Sequence, residues 1–241
     1  MKKLLLCIIS GIALSASGQN NSSPKINEPK WFVGLEISPN NCFRNLNYKG
    51  GDDIIEGIVT SRNKREESIL GLSSGLSVGY RVTKQISVSS GLYYESCGYQ
   101  VKGLHITSPE DPEGLKNTTG ISTHFRYLSI PVKVNYTFGK KKLQLITGLG
   151  IRTNILLGVK NVLVVKYDNG EKTRLAQDSP GDYNGINLSP ILSLGLNYTM
   201  NSKWSFRMEP NFQIGLLPVA DAPIKERLYN YGANVGCYYN L

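Results

Sequence analysis

The chain has 241 residues and a formal net charge of +9, with 40% hydrophobic residues, 25 glycines and 14 tyrosines. This length suits one sizeable domain, and abundant glycine and tyrosine are typical of β-rich proteins. The basic excess does not indicate a nucleic-acid partner, because the segments predicted to be loops are close to neutral and the sequence contains no basic patch interleaved with aromatic residues.

The N-terminus has the pattern of an export signal. Two lysines precede the apolar run Leu4–Leu14, and small residues follow it. The run is too short for a membrane anchor, and no later run of about 18 apolar residues predicts a transmembrane helix. We therefore expect a signal peptide over 1–18 that is cleaved near Gly18, a flexible periplasmic leader over 19–30 and a β-domain over 31–241.

Apolar and polar residues alternate with a period of two in eight segments, which predicts eight strands. The clearest example is the hairpin Leu70–Tyr94, which turns at Thr83–Gln85. One of its faces is apolar, whereas the other consists mainly of Gly and Ser and carries Arg81. The predicted strands are Trp31–Ser38, Leu70–Val82, Ile86–Val101, Phe125–Phe138, Leu143–Leu157, Ile186–Tyr198, Trp204–Leu216 and Leu228–Leu241.

The connections between these strands alternate in length. Long polar segments at about 41–68, 102–123, 160–184 and 218–227 are separated by short turns. Strands of about ten or more residues with this rhythm are typical of outer-membrane barrels, whereas soluble sandwiches usually have shorter strands. The sequence therefore predicts an all-β fold, an eight-stranded antiparallel up-and-down transmembrane β-barrel with short periplasmic turns and long extracellular loops.

Three features predict that the apolar face meets lipid and the polar face fills the lumen, the reverse of a soluble barrel. The apolar face continues along all eight strands. The opposite face is dominated by small Gly, Ser and Asn residues, which fit inside a narrow barrel. Aromatic residues gather at the predicted periplasmic rim, as in interfacial belts. They are Trp31, Tyr80, Tyr136, Phe138, Tyr198, Trp204 and Tyr239.

Seven charged residues lie mid-strand on the polar face. Eight strands leave an interior that side chains can just fill, and buried charges are tolerated when they are paired and hydrogen-bonded. We therefore expect a structural charge network and a plugged barrel; the alternatives are a proton or ion path, or a pore. The network consists of Glu36, Arg81, Glu95, Lys133, Arg152, Arg207 and Glu209.

The remaining reactive residues do not predict a site. Beyond the signal there are three cysteines, an odd number that indicates no disulfide framework, and whether Cys42 and Cys97 pair stays open. No Cys or His cluster predicts a metal or cofactor. Ser122 and His124 share a strand face near the outer rim, as in some lipid-modifying barrel hydrolases, but a third group that would orient the histidine is missing. We expect no catalytic residues.

Three pieces of the chain resemble the outer-membrane β-barrel (PorT-like) family of the Bacteroidota. They are the expected mature start at Gln19, the Tyr127–Val132 stretch (Tyr-Leu-Ser-Ile-Pro-Val) and the C-terminal segment Asn230–Leu241. The resemblance covers nearly all of the mature chain, although Leu241 stands where such barrels commonly end in an aromatic residue. It implies an outer-membrane location in a Gram-negative cell envelope, insertion by the barrel-assembly machinery and no catalytic residues.

These features together predict a non-enzymatic barrel whose loops bind a partner or stabilise the envelope. Its expected partners are outer-membrane lipid, the barrel-assembly machinery during insertion and an envelope or secretion-system protein, with no nucleic acid. The alternatives are a component of a protein-secretion and gliding apparatus, which the PorT-like resemblance implies, and a lipid-modifying hydrolase.

Overall fold

The computed structural model describes residues 30–106, 117–167 and 170–241. The predicted signal peptide and all of the predicted leader except Lys30 lie outside these residues. The elements are β1 (Trp31–Asn47), α1 (Asp53–Arg65), β2 (Glu66–Arg81), β3 (Ile86–Ile106), β4 (Asn117–Phe138), β5 (Leu143–Lys166), β6 (Lys172–Asp178), β7 (Ile186–Thr199), β8 (Trp204–Ile214) and β9 (Lys225–Asn240).

Eight of these strands close into a ring. Each strand of the ring pairs antiparallel with the next one in the chain, and β1 pairs with β9 to complete the circle. Strand β6 stands outside the ring and pairs with β5 alone. The predicted eight-stranded up-and-down barrel is confirmed.

The faces of the ring are arranged as the alternation predicts. Leucines on the outer face are largely exposed, for example Leu35 (64%), Leu76 (65%) and Leu149 (65%). Polar side chains on the inner face are buried, and Ser129 and Asn135 are completely inaccessible. An apolar exterior around a polar interior is the arrangement of a barrel that crosses a membrane.

The two rims of the barrel differ. One rim carries the tight turns 82–85, 139–142 and 200–203 together with both ends of the ring. Aromatic rings meet in pairs there, with centroids 4.9 Å apart for Trp31 and Tyr80 and 5.0 Å apart for Trp204 and Tyr239. In outer-membrane barrels the rim with the short turns is periplasmic.

The strands are longer at the opposite rim than the alternation predicts, so the predicted strand boundaries there are wrong. Strand β1 continues to Asn47, β5 continues to Lys166, and the predicted loop 102–123 largely belongs to β3 and β4. The extensions do not keep the alternation of apolar and polar residues, because polar residues follow one another in β1 and apolar residues follow one another at 162–165 in β5. Backbone pairing persists there, as in Asn45↔Arg227. Smaller shifts occur at β8, which ends at Ile214, and at β9, which begins at Lys225.

We call this extended end of the barrel the crown (residues 42–69, 97–106, 117–127, 156–167, 170–185 and 215–230). It contains α1 within the predicted loop 41–68. The Asp52 carboxylate accepts hydrogen bonds from the backbone N–H groups of Ile54 (2.9 Å) and Ile55 (3.4 Å), which caps the N-terminus. Acidic residues in the first turn and basic residues in the last turn match the helix dipole. Among the described residues, no helix is long and apolar enough to span a membrane.

Candidate functional site

The seven side chains predicted to form the lumen charge network lie inside the ring, at three depths. Arg152 and Glu95 form one pair nearest the crown, with Nη1 and Oε2 2.6 Å apart. Two side-chain amides also donate to Glu95, Gln213 from Nε2 at 2.5 Å and Asn230 from Nδ2 at 2.9 Å. Ser129 Oγ lies 3.4 Å from the same carboxylate and donates to Asn154 Oδ1 at 2.7 Å.

The next group towards the periplasm has one cation for two carboxylates. Lys133 Nζ lies 2.7 Å from Glu209 Oε2, and Glu209 is completely buried. The other oxygen of Glu209, Oε1, has no hydrogen-bond partner among the described residues. Glu36 lines the same small cavity and accepts a hydrogen bond from Asn234 Nδ2 at 2.7 Å.

The two remaining arginines contact amides and aromatic rings near the turn rim. Arg81 donates to Asn240 Oδ1 at 2.6 Å, and Arg207 donates to Asn197 Oδ1 at 3.1 Å. The guanidinium carbon of Arg207 lies 4.1 Å from the Tyr238 ring centre and 4.8 Å from that of Phe32. Such cation–π contacts stabilise a desolvated guanidinium. The lumen at this end is therefore partly aromatic, whereas the sequence predicts a face of small polar residues with charges.

Little space remains between these groups. The cavity bounded by Glu36, Lys133 and Glu209 has a volume of about 40 Å³, and the cavity beside Glu95 has a volume of about 20 Å³. Volumes of this size hold at most a few water molecules. Each of these two cavities therefore has room for water but not for a larger solute.

An apolar cluster lies at the base of the crown. It contains the buried residues Cys42, Ile69, Cys97, Phe125, Tyr127, Val159, Val219 and Leu228. Cys42 and Cys97 are free thiols on strands separated by β2, and the Sγ of Cys42 occupies the space that a Cβ at Gly71 would need. The sequence signal for this cluster is weak, because its members fall partly in segments that read as polar loops.

An ion-pair cluster lies above the apolar cluster and joins α1 to the barrel wall. Glu66 accepts from Arg44 Nε at 2.6 Å and from Arg62 Nε at 2.5 Å. Arg62 also reaches Glu226 on β9, with Nη2 and Oε2 2.7 Å apart. Burial raises the pKa of Glu226, and the hydrogen bond from Arg62 opposes that rise. Burial also raises the pKa of Tyr99, whose ring lies beside Arg62.

Sequence reasoning misses this ion-pair cluster, because its four members lie on four different elements and all of them fall in predicted loops. A weak signal exists in the capping pattern of α1, an Asp at position 52 followed by basic residues at the helix end. Nothing in the local pattern shows that Arg44 and Glu226 meet on adjacent strands.

The predicted Ser/His pair is present on β4 in the crown. Ser122 Oγ and His124 Nε2 are 3.1 Å apart. Burial lowers the pKa of His124, and the charge of Arg174 lowers it further, so the imidazole is neutral near pH 7. No carboxylate among the described residues is recorded in a hydrogen bond with His124, and no group of three or more metal-ligating side chains occurs in the same part of the chain.

Comparison with known proteins identifies the family of this chain. The model of the outer membrane protein beta-barrel domain matches residues 18–221. No curated protein sequence matches. Among solved structures, the chain is similar to Neisserial surface protein A, with a TM-score of 0.44 and 13% identity over 88% of this chain and 97% of that chain. It is also similar to OprG from Pseudomonas aeruginosa, with a TM-score of 0.44 and 12% identity over 89% and 98%.

These structural similarities are low, so the family assignment rests on the family model, and the closed ring of eight strands agrees with it. The match covers most of the chain and includes strands β1 to β8. The chain belongs to the outer membrane protein beta-barrel domain family and is an outer-membrane protein.

Proposed function

We propose that this protein is a non-enzymatic outer-membrane scaffold, a barrel plugged by its own side chains that presents its crown to a partner or stabilises the envelope. The observation that carries this proposal is the small size of the two cavities beside the lumen ion pairs, about 40 and 20 Å³. A barrel with this interior offers no path for a solute, so its useful surfaces are the crown and the lipid-facing wall.

Conductance tests the plugged lumen directly. The purified protein, reconstituted in a planar bilayer, should give no conductance steps. The double variant Lys133→Ala/Glu209→Ala removes the ion pair and most of two lumen side chains, and it serves as the reference for an opened interior. Stepwise conductance by the unaltered barrel would contradict the proposal.

The crown supports a role in binding. Strand β6 projects beyond the ring, and all seven of its residues are exposed. Its outer edge has no strand partner among the described residues. Exposed strand edges are common templates for pairing with another chain. We further propose that lipid contacts the outer wall, that the barrel-assembly machinery inserts the chain and that an envelope protein is the partner of the crown.

Photo-crosslinking in cells tests the crown as the binding surface. A photoreactive residue at Leu175 on β6 should give discrete crosslinked species with an envelope protein. The matched control is Met200 at the turn rim, because the two side chains are similarly exposed, at 57% and 54%. The proposal fails if the two positions give the same products.

The Ser122–His124 contact makes lipid hydrolysis the second candidate function. A neutral histidine at hydrogen-bond distance from a serine is the minimal arrangement for activating that hydroxyl. The missing orienting carboxylate disfavours this candidate. We expect His124→Ala to leave the lipid profile of the envelope unchanged; loss of a deacylated lipid species in that variant would instead identify an enzyme.

A further inference from the structure

The crown contains a cavity of about 510 Å³ that the lumen network does not use. Helix α1 forms one side with Ile58 and Arg62, and the connection before β9 forms the other with Ala222 and Ile224. The apolar cluster forms the floor. The volume lies within the range of small-molecule sites, which is about 300–1,000 Å³.

Apolar side chains dominate the walls of this cavity, and those from α1 are not buried. None of the residues of α1 is buried. Ile58, which lines the cavity, is 46% exposed. The recorded attachments of α1 to the rest of the crown are polar and lie at its C-terminal end, where Arg62 contacts Glu226 and Asn63 contacts Arg44. An apolar molecule between α1 and the floor would cover Ile55 and Ile58 and bury further apolar area.

One polar group at the cavity lacks a partner. The side chain of Glu226 lines the cavity and is 9% exposed. Its Oε2 accepts from Arg62, whereas its Oε1 has no hydrogen-bond partner among the described residues. Leaving a buried acceptor unsatisfied costs stability, and a bound donor recovers that cost.

We propose that this cavity binds a small organic molecule with an apolar body and a terminal hydrogen-bond donor, an ammonium or a hydroxyl group, that donates to Glu226 Oε1. The surrounding charges favour this class over a carboxylic acid. The charges of Arg44 and Arg62 are balanced by Glu66 and Glu226, and Arg44 does not line the cavity, so a ligand carboxylate there would face the oxygen of Glu226. The inference goes beyond the scaffold function, because a plugged barrel needs no ligand in its crown.

Three probes with the same apolar body test the chemistry of the site. They are 2-(2-naphthyl)ethylamine, 2-(2-naphthyl)ethanol and 3-(2-naphthyl)propionate, titrated against the folded full-length protein in amphipol and followed by saturation-transfer NMR. The amine, the alcohol or both should bind saturably and about tenfold or more tighter than the acid, which is the discrimination expected from one hydrogen bond to a charged acceptor. Comparing the affinities of the amine and the alcohol shows whether the site prefers an ammonium or a hydroxyl donor.

Three variants locate the binding. Glu226→Gln should weaken binding of the preferred probe about tenfold, whereas the matched control Glu67→Gln, on a half-exposed crown glutamate that pairs with Lys102 outside the cavity, should leave it unchanged. Ala222→Trp fills the cavity and should abolish binding of every probe. Heat-modifiable migration on a gel verifies that each variant is folded.

Two results would overturn the proposal. One is the absence of saturable binding by both donor probes, which would leave water as the occupant of the cavity. The other is binding that neither Glu226→Gln nor Ala222→Trp changes. The outcome is independent of the conductance and crosslinking results, so the ligand site and the scaffold function fail separately.

Discussion

Removing Lys133 should destabilise the barrel far more than removing Arg152, although each cation pairs with one buried carboxylate. Lys133→Met leaves Glu209 completely buried with no donor among the described residues. Breaking a buried ion pair from one side typically costs about 3–5 kcal/mol. Arg152→Met leaves Glu95 with two neutral donors, Gln213 and Asn230, so the loss should be smaller, about 1–3 kcal/mol.

The double variant separates the ion pair from the penalty of an orphaned charge. Lys133→Met/Glu209→Met removes both partners of the ion pair and leaves Glu36, which keeps its hydrogen bond from Asn234, as the remaining carboxylate of the group. Replacing both partners of a buried pair is often close to neutral, so the double variant should be less destabilised than Lys133→Met. Urea unfolding in lipid vesicles, followed by the fluorescence of the two tryptophans, measures the free energy of unfolding. The reasoning is refuted if Arg152→Met costs more than Lys133→Met, or if the double variant is as unstable as Lys133→Met.

Three further results are expected. Gly79→Ala should lower the free energy of unfolding by about 1–3 kcal/mol, since the added methyl overlaps the Phe32 ring; an unchanged unfolding midpoint would contradict the close approach. Burial lowers the pKa of His124 in the folded protein below its unfolded value of about 6.5, so the stability that this residue contributes should rise with pH in the window below 6.5. This pH dependence should be absent in His124→Gln. Unfolding of both proteins measured over the same pH series tests the prediction, and identical pH profiles would disprove it. Trp31 and Trp204 should be quenched more by lipids brominated near the head group than by lipids brominated in mid-chain; the opposite order would place the turn rim inside the lipid.

The sequence predicts the ring because contact with lipid requires an apolar side chain at every second residue of each strand. Each outward position between the rims must be apolar, so the alternation alone identifies eight strands and their faces. Leu76 and Glu209 differ in burial as their positions in that alternation predict.

The crown could not be predicted in the same way, because above the lipid neither face has to be apolar. Asn45 and Arg227 pair as strand neighbours, yet nothing in their local sequence distinguishes them from loop residues. The ion-pair cluster depends on which strands are adjacent, and Arg62 meets Glu226 only because β1 closes the ring with β9. Single-sequence patterns contain no information on such long-range pairs.

The aromatic residues that point into the lumen were missed for a different reason. Phe32 and Tyr238 occupy positions whose place in the alternation already points into the lumen. The signal was available in the sequence, but it conflicts with the expectation that a narrow barrel admits only small residues beside its charges. The structure shows why they fit: two arginines stack on these rings, so each aromatic side chain helps to neutralise the cost of a buried guanidinium.

The length of β4 and β5 determines how much of this protein lies outside the membrane. The two strands have 22 and 24 residues, which at roughly 3.3 Å per residue corresponds to roughly 70–80 Å of chain. An apolar band about 25 Å tall, crossed at a tilt of about 40°, needs only about ten of those residues. More than half of each strand therefore lies outside the hydrocarbon. A protease acting from outside would reach the crown first and would trim it while the ring below stayed closed.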